Sequence, residues 1–139
     1  MIQIIAGRKG KGKTKHLIDK ANSAVKSANG SIVYLDKSDK HMYELSNKIR
    51  LINVNEYLIT NQDEFLGFIS GIVSQDHDLE EMYLDSFLKI AHLEGNDIVP
   101  AINKLNSLGE KFGVTFVLSV SADEADLPEA VKPYIIVSL

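Results

Sequence analysis

The sequence predicts an α/β fold, a three-layer α/β/α sandwich on a mainly parallel sheet, occupying residues 1–139 as one domain. Three observations predict it. Short apolar runs alternate along the chain with stretches of helical periodicity, as in successive βαβ units. The first apolar run closes on a glycine-rich loop that leads directly into a helix. A chain of 139 residues, 45% hydrophobic and 24% charged, supports one core and is too short for two.

The elements follow in order. Ile2 to Ala6 is a buried strand, and Gly7-Arg8-Lys9-Gly10-Lys11-Gly12 is too rich in glycine to be anything but a loop. From Lys13, Leu17, Ile18, Ala21, Ala24, Val25 and Ala28 recur at helical spacing, with Asn29-Gly30 as the stop. Ser31 to Leu35 is a second strand ending at Asp36, followed by a polar loop from Lys37 to Lys40. Leu51-Ile52-Asn53-Val54 carries a weaker strand pattern and is not counted in the sheet. Glu64 to Ser74 aligns Phe65, Phe68, Ile69, Ile72 and Val73 on one helical face, despite Gly67 and Gly71. Met82-Tyr83-Leu84 is a strand running into Asp85, and helix is expected between it and a β-rich run from Phe112 to Val120. Tyr134 to Val137 is the last strand, after Pro128 and Pro133.

Composition removes several function classes. With no cysteine, disulfides, thiolate metal sites and a cysteine nucleophile are excluded. The longest strongly apolar stretch, Phe65 to Val73, is far short of the roughly 20 residues needed to span a bilayer, so no membrane association is expected. The amino-terminal apolar run precedes the basic one, the reverse of a secretory signal, so a cytoplasmic location is expected. The four histidines (His16, His41, His77, His92) have no metal-ligand spacing. Net charge is −4, yet residues 1–20 hold six basic residues against Asp19, a local +5 that leaves −9 for the rest. A compact cationic cluster in an acidic chain fits a small polyanion better than a nucleic-acid groove.

Gly7-Arg8-Lys9-Gly10-Lys11-Gly12-Lys13-Thr14 matches G-x-x-x-x-G-K-[ST], with a strand before it and a helix after it. Gly7, Gly10 and Gly12 let the backbone curl so that its N–H groups face one anion, and the helix start adds free N–H groups and partial positive charge. Lys13 suits the β- and γ-phosphates of a nucleotide, and the Thr14 hydroxyl is a hard oxygen ligand for Mg²⁺. Arg8, Lys9 and Lys11 either screen phosphate, contact a partner or are solvated.

On these residues the chain resembles the P-loop NTPase superfamily, and short bacterial proteins described as ATP-binding. The strand Glu81-Met82-Tyr83-Leu84-Asp85 resembles the family's Walker B strand, making Asp85 the candidate partner of magnesium; a strand-end turn aspartate is the alternative. One counted strand between Walker A and Walker B is similar to the RecA-like, additional-strand branch, which implies five strands in the order 5-1-4-3-2 and ATP as the nucleotide. By position Ser119 and Ser121 then match the polar residue that touches the γ-phosphate, against an N-cap role for Ser121 at Ala122-Asp123-Glu124.

The chain departs from that branch at Ser86, where a water-polarising glutamate commonly stands. Substitutes would be Asp36, Asp39 or Glu56, or none. Arg50 is the one arginine outside the loop and the candidate for an arginine finger across an interface between copies, with a plain surface arginine as the alternative. Asp85-Ser86-Phe87-Leu88 lacks the glycine of a GTPase switch, and Asn103-Lys104-Leu105-Asn106 ends in the wrong residue for guanine recognition. The expected activity is therefore Mg·ATP binding with Lys13 and Asp85 at the chemistry and slow hydrolysis open. The alternatives are a non-hydrolysing, nucleotide-gated module for a protein partner or second copy and, more weakly, a nucleic-acid-dependent ATPase.

Overall fold

The computed structural model describes all residues from 1 to 139. Six strands, β1 (Ile2–Ala6), β2 (Ser31–Asp36), β3 (Ile49–Asn53), β4 (Leu79–Leu84), β5 (Thr115–Val120) and β6 (Ile135–Ser138), form one sheet in the order β3-β2-β4-β5-β1-β6. Every neighbouring pair is parallel. The helices are α1 (Lys13–Ala24), α2 (Gln62–Gln75), the single turn α3 (Phe87–Ile90) and α4 (Val99–Phe112), with 3₁₀ turns at Val54–Glu56, Glu124–Asp126 and Glu129–Tyr134.

The sheet corrects the expected five strands in the order 5-1-4-3-2. A sixth strand, Ile49–Asn53, pairs with the free side of β2 from Ile32↔Ile49 to Asp36↔Asn53. As an edge strand it buries Ile49 and Ile52 while Arg50 faces solvent, which leaves it a weak sequence pattern. Other boundaries shift for local reasons. α4 runs to Phe112 and closes on Gly113 at φ 69, so the β-rich run becomes strand only from Thr115. α2 begins at Gln62 because the Asn61 side chain accepts from Glu64 N at 2.9 Å, while Glu64 Oε1 accepts from Thr60 N and Oγ1, both at 2.7 Å. α1 ends at Ala24, although Val25 and Ala28 still donate to Ala21 and Ala24.

Alternation along the strands divides the core between the two faces of the sheet. Ile4, Val33, Leu35, Met82, Leu84, Phe116 and Leu118 pack with α2, α3 and α4 through Phe65, Ile69, Phe87, Ile102 and Leu105. Ile5, Ile32, Tyr34, Tyr83 and Val117 pack on the other face, against Leu17, Ile18 and Ala21 of α1. Because β5 lies between β1 and β4, the ends of these three strands lie side by side beneath the α1 entry loop. No helix is long and apolar enough to cross a membrane.

Candidate functional site

The chain leaves β1 at Gly7, whose N–H donates to Val120 O at 3.3 Å, and turns where Lys11 N donates to Arg8 O at 3.3 Å. Gly10 and Gly12 take φ of 87° and 91°, a left-handed backbone that costs residues with a Cβ about 1–2 kcal/mol. Such glycines allow successive N–H groups to curl toward one point. Gly12 is also the N-cap of α1 and has no side chain to close the helix start. The N–H groups of Gly10, Gly12, Lys13, Thr14 and Lys15 consequently donate to no protein group, and His16 is the first residue bonded back, to Gly12 O.

Lys13 is the buried cation of this loop, 8% exposed, with Nζ donating to Arg8 O at 3.1 Å. Burial pushes its pKa down, and the charge of Asp85 partly restores it. Asp85, just beyond β4, is 2% exposed and accepts from four groups. Oδ1 takes the Thr14 hydroxyl at 3.2 Å, the Ser119 hydroxyl at 2.7 Å and Ser86 N at 2.9 Å; Oδ2 takes the Tyr34 hydroxyl at 2.8 Å. Ser86 N is shared with Ser119 Oγ at 2.8 Å. Turning that N–H inward holds Ser86 at φ 55, one of two non-glycine residues in the left-handed region. Burial, and after it the Asp85 charge, push the Tyr34 phenol pKa up, and the same two causes raise the carboxyl of buried Asp36 at the end of β2. Asp36 Oδ1 accepts from Lys37 N at 2.7 Å.

Above these groups opens a cleft of about 630 Å³, within the range of small-ligand sites. Lys9, Lys13, Lys37 and Lys89 line it against two carboxylates, Asp85 and Glu94, so a protein of net charge −4 carries a cationic cleft. Nothing groups three His, Cys, Asp or Glu residues as a self-contained metal cage. Thr14 and Asp85 offer two hard oxygens on one side of the cleft, enough only for a cation that draws its remaining ligands from water or from a bound anion.

Of the residues named from the sequence, Lys9, Gly10, Gly12, Lys13, Thr14, Asp85, Ser86, Ser119 and Ser121 line the cleft. Gly7, Arg8 and Lys11 do not: Gly7 is tied to β5, Arg8 Nε pairs with Asp123 Oδ2 at 2.7 Å, and Lys11 is exposed. The cap of the 3₁₀ turn at Glu124–Asp126 is Asp123, which removes the N-cap role considered for Ser121. Ser119 is 1% exposed and bonded to Asp85. Asp36 is buried beside Asp85, while Asp39, Glu56 and Arg50 are exposed and off the cleft. Sequence reading missed Tyr34, Lys37, His41, Lys89 and Glu94. Tyr34 alone had a readable trace, a lone aromatic in an otherwise aliphatic strand; the other four depend on how the loops fold over the sheet. No protein-family model matches the chain, and no curated protein matches it.

Proposed function

We propose that the chain binds ATP with Mg²⁺ at its glycine-rich loop, as a small P-loop protein of the RecA-like branch, with slow hydrolysis left open to measurement. The observation that carries this reading is the run of five backbone N–H groups between Gly10 and Lys15 that no protein acceptor takes, beside a buried lysine. With no protein acceptor to compete, these N–H groups are free to donate to the oxygens of an anion seated at the helix start. The Lys13 ammonium, held below its ordinary pKa by burial, gains its missing counter-charge from the same oxygens. Magnesium fits the donor set of Thr14 and Asp85, since it keeps waters and phosphate oxygens as ligands, and when bound it neutralises phosphate charge. The separation of β1 from β4 by β5 supports the RecA-like assignment.

A second reading, a nucleotide-gated module without turnover, is favoured by the cleft's acids. Neither Asp36, Asp39 nor Glu56 lines it, and the position after Asp85 is a serine. Four lysines face the cleft against Glu94 as its one carboxylate besides Asp85, a balance that favours holding phosphate over polarising water.

Melting shifts with ATP, GTP and ADP, with and without Mg²⁺, test the binding. Ligand at 100 times its Kd stabilises the folded state by about 2.7 kcal/mol, several degrees for a domain of this size. Lys13→Ala is expected to abolish the shift. A wild-type protein that is folded and shows no shift with any triphosphate overturns the proposal. Phosphate release then separates slow hydrolysis from gating.

A further inference from the structure

Asp85 is held from both sides by different elements. Its Oδ1 is shared by Thr14, Ser119 and Ser86 N, all bordering the cleft, whereas Oδ2 has one partner, the hydroxyl of Tyr34 on β2. Tyr34 is 0% exposed and does not line the cleft, so it touches no ligand there. Its ring is fixed by the parallel register, which pairs Tyr34 with Tyr83, and by stacking on Tyr83 at 6.0 Å between centroids with 14° between planes. Tyr83 is tied in turn through its own hydroxyl to Glu81 at 2.8 Å. A carboxylate turns about its Cβ–Cγ bond with both oxygens moving together, so the Tyr34 hydroxyl on Oδ2 joins the three donors on Oδ1 in opposing the turn and is the one donor that holds it from the β2 side.

The direction of that carboxylate sets the direction of Thr14. The Thr14 hydroxyl donates its one hydrogen to Asp85 Oδ1, which leaves its lone pairs free for the cleft. If Asp85 turned, the hydrogen would be free to swing into the cleft, and a hydroxyl with its hydrogen toward a cation is no ligand.

We propose that Tyr34 is a positioning residue for the cation end of the site: its hydroxyl locks Asp85, and Asp85 in turn aims the Thr14 lone pairs into the cleft. The proposal rests on the Mg·ATP reading and specifies which part of it depends on β2. It is distinct from a merely satisfied buried tyrosine because it concerns the cation and not the phosphates, which the loop N–H groups and Lys13 serve.

The test compares wild type with Tyr34→Phe by calorimetric titration of ATP, once in excess Mg²⁺ and once in excess EDTA. Loss of an outer partner that orients metal ligands typically weakens metal binding 10- to 100-fold, so Kd in Mg²⁺ is expected to rise by about 10-fold. Kd in EDTA is expected to stay within about twofold, the scatter usual for a change with no shared partner. An equal shift in both conditions, or none in either, overturns the proposal. Absence of binding by wild type in both conditions instead overturns the nucleotide reading on which it rests. Should Tyr34→Phe be too unstable to assay, Asp85→Asn is compared with the Asp85→Asn, Tyr34→Phe pair, in which no buried carboxylate is left short of a donor. The second change is then expected to leave the Mg²⁺ dependence of Asp85→Asn unaltered, and a further 10-fold loss in Mg²⁺ alone would refute action through Asp85.

Discussion

Asp85→Ala is the substitution whose consequence follows most directly from the hydrogen-bond geometry. Removing the carboxylate orphans the Tyr34 and Ser119 hydroxyl hydrogens, in residues that are 0% and 1% exposed. Each buried donor without an acceptor costs about 1–3 kcal/mol, so the pair sets a range of about 2–6 kcal/mol. The other two donors contribute little. Ser86 N keeps Ser119 Oγ at 2.8 Å, and Thr14 lies where cleft water replaces the lost acceptor. Relief of the repulsion that raises the Asp36 pKa works in the opposite direction. The expected loss is therefore about 3 kcal/mol, a large share of the roughly 5–15 kcal/mol typical of a domain, and near 10 °C in Tm. Asp85→Asn is the control. Its carboxamide oxygen can replace Oδ1 and keep the Ser119 hydroxyl paired, and its NH₂ can donate to the Tyr34 oxygen, which leaves the Tyr34 hydroxyl hydrogen and the second amide hydrogen without an acceptor; with every buried oxygen still bonded, the loss is expected to be smaller than for Asp85→Ala, about 2 kcal/mol. Urea denaturation followed by circular dichroism in EDTA, without nucleotide, measures both with unchanged m. An Asp85→Ala protein within about 1 kcal/mol of wild type would refute the reasoning, because the buried hydroxyls would then not depend on this carboxylate.

The remaining expectations concern neighbouring groups. Asp36 has its pKa raised by burial and by Asp85, so the folded state holds its proton more tightly than the unfolded chain and stability falls as pH rises from about 4 through the folded pKa. Asp36→Asn, which keeps an acceptor for Lys37 N, is accordingly expected to stabilise at pH 7 and to lose that advantage at pH 3; an advantage that grows on acidification contradicts the assignment. Ser86→Gly relieves a left-handed serine and is expected to stabilise by up to about 1 kcal/mol, visible as a higher urea midpoint. Gly12→Ala, at φ 91 in open space, is expected to destabilise by about 1–2 kcal/mol while leaving a folded protein with weakened triphosphate binding, measured by denaturation and calorimetry together. Tyr34 and Tyr83 both have pKa values pushed above the ordinary tyrosine range, mainly by burial. Ultraviolet titration is expected to find two phenols that ionise only as the protein unfolds at alkaline pH, and their early ionisation would mean the Tyr34–Tyr83 stack is open.

Local chemistry alone determined much of this protein. The glycines at 10 and 12, the lysine at 13 and the threonine at 14 specify a loop between strand and helix, because tolerance of positive φ and a missing Cβ travel with glycine itself and a glycine at the helix start leaves it uncapped. The buried strands are equally legible from their continuous apolar runs, and the Asn61–Glu64 spacing is itself a local helix-start signal. The tertiary structure decided what no local pattern encodes. The Ile49–Asn53 strand exists because β2 had a free edge, and its own half-exposed sequence argues for it only faintly. Which acids face the cleft depended on loop paths, which favoured Glu94 over Asp36, Asp39 and Glu56. The hold of Tyr34 on Asp85 spans 51 positions of sequence and arises only when parallel pairing sets β2 beside β4. Bends and periodicities are one-residue or one-turn energies written into the chain, whereas contacts between distant segments come from the packing of all elements at once.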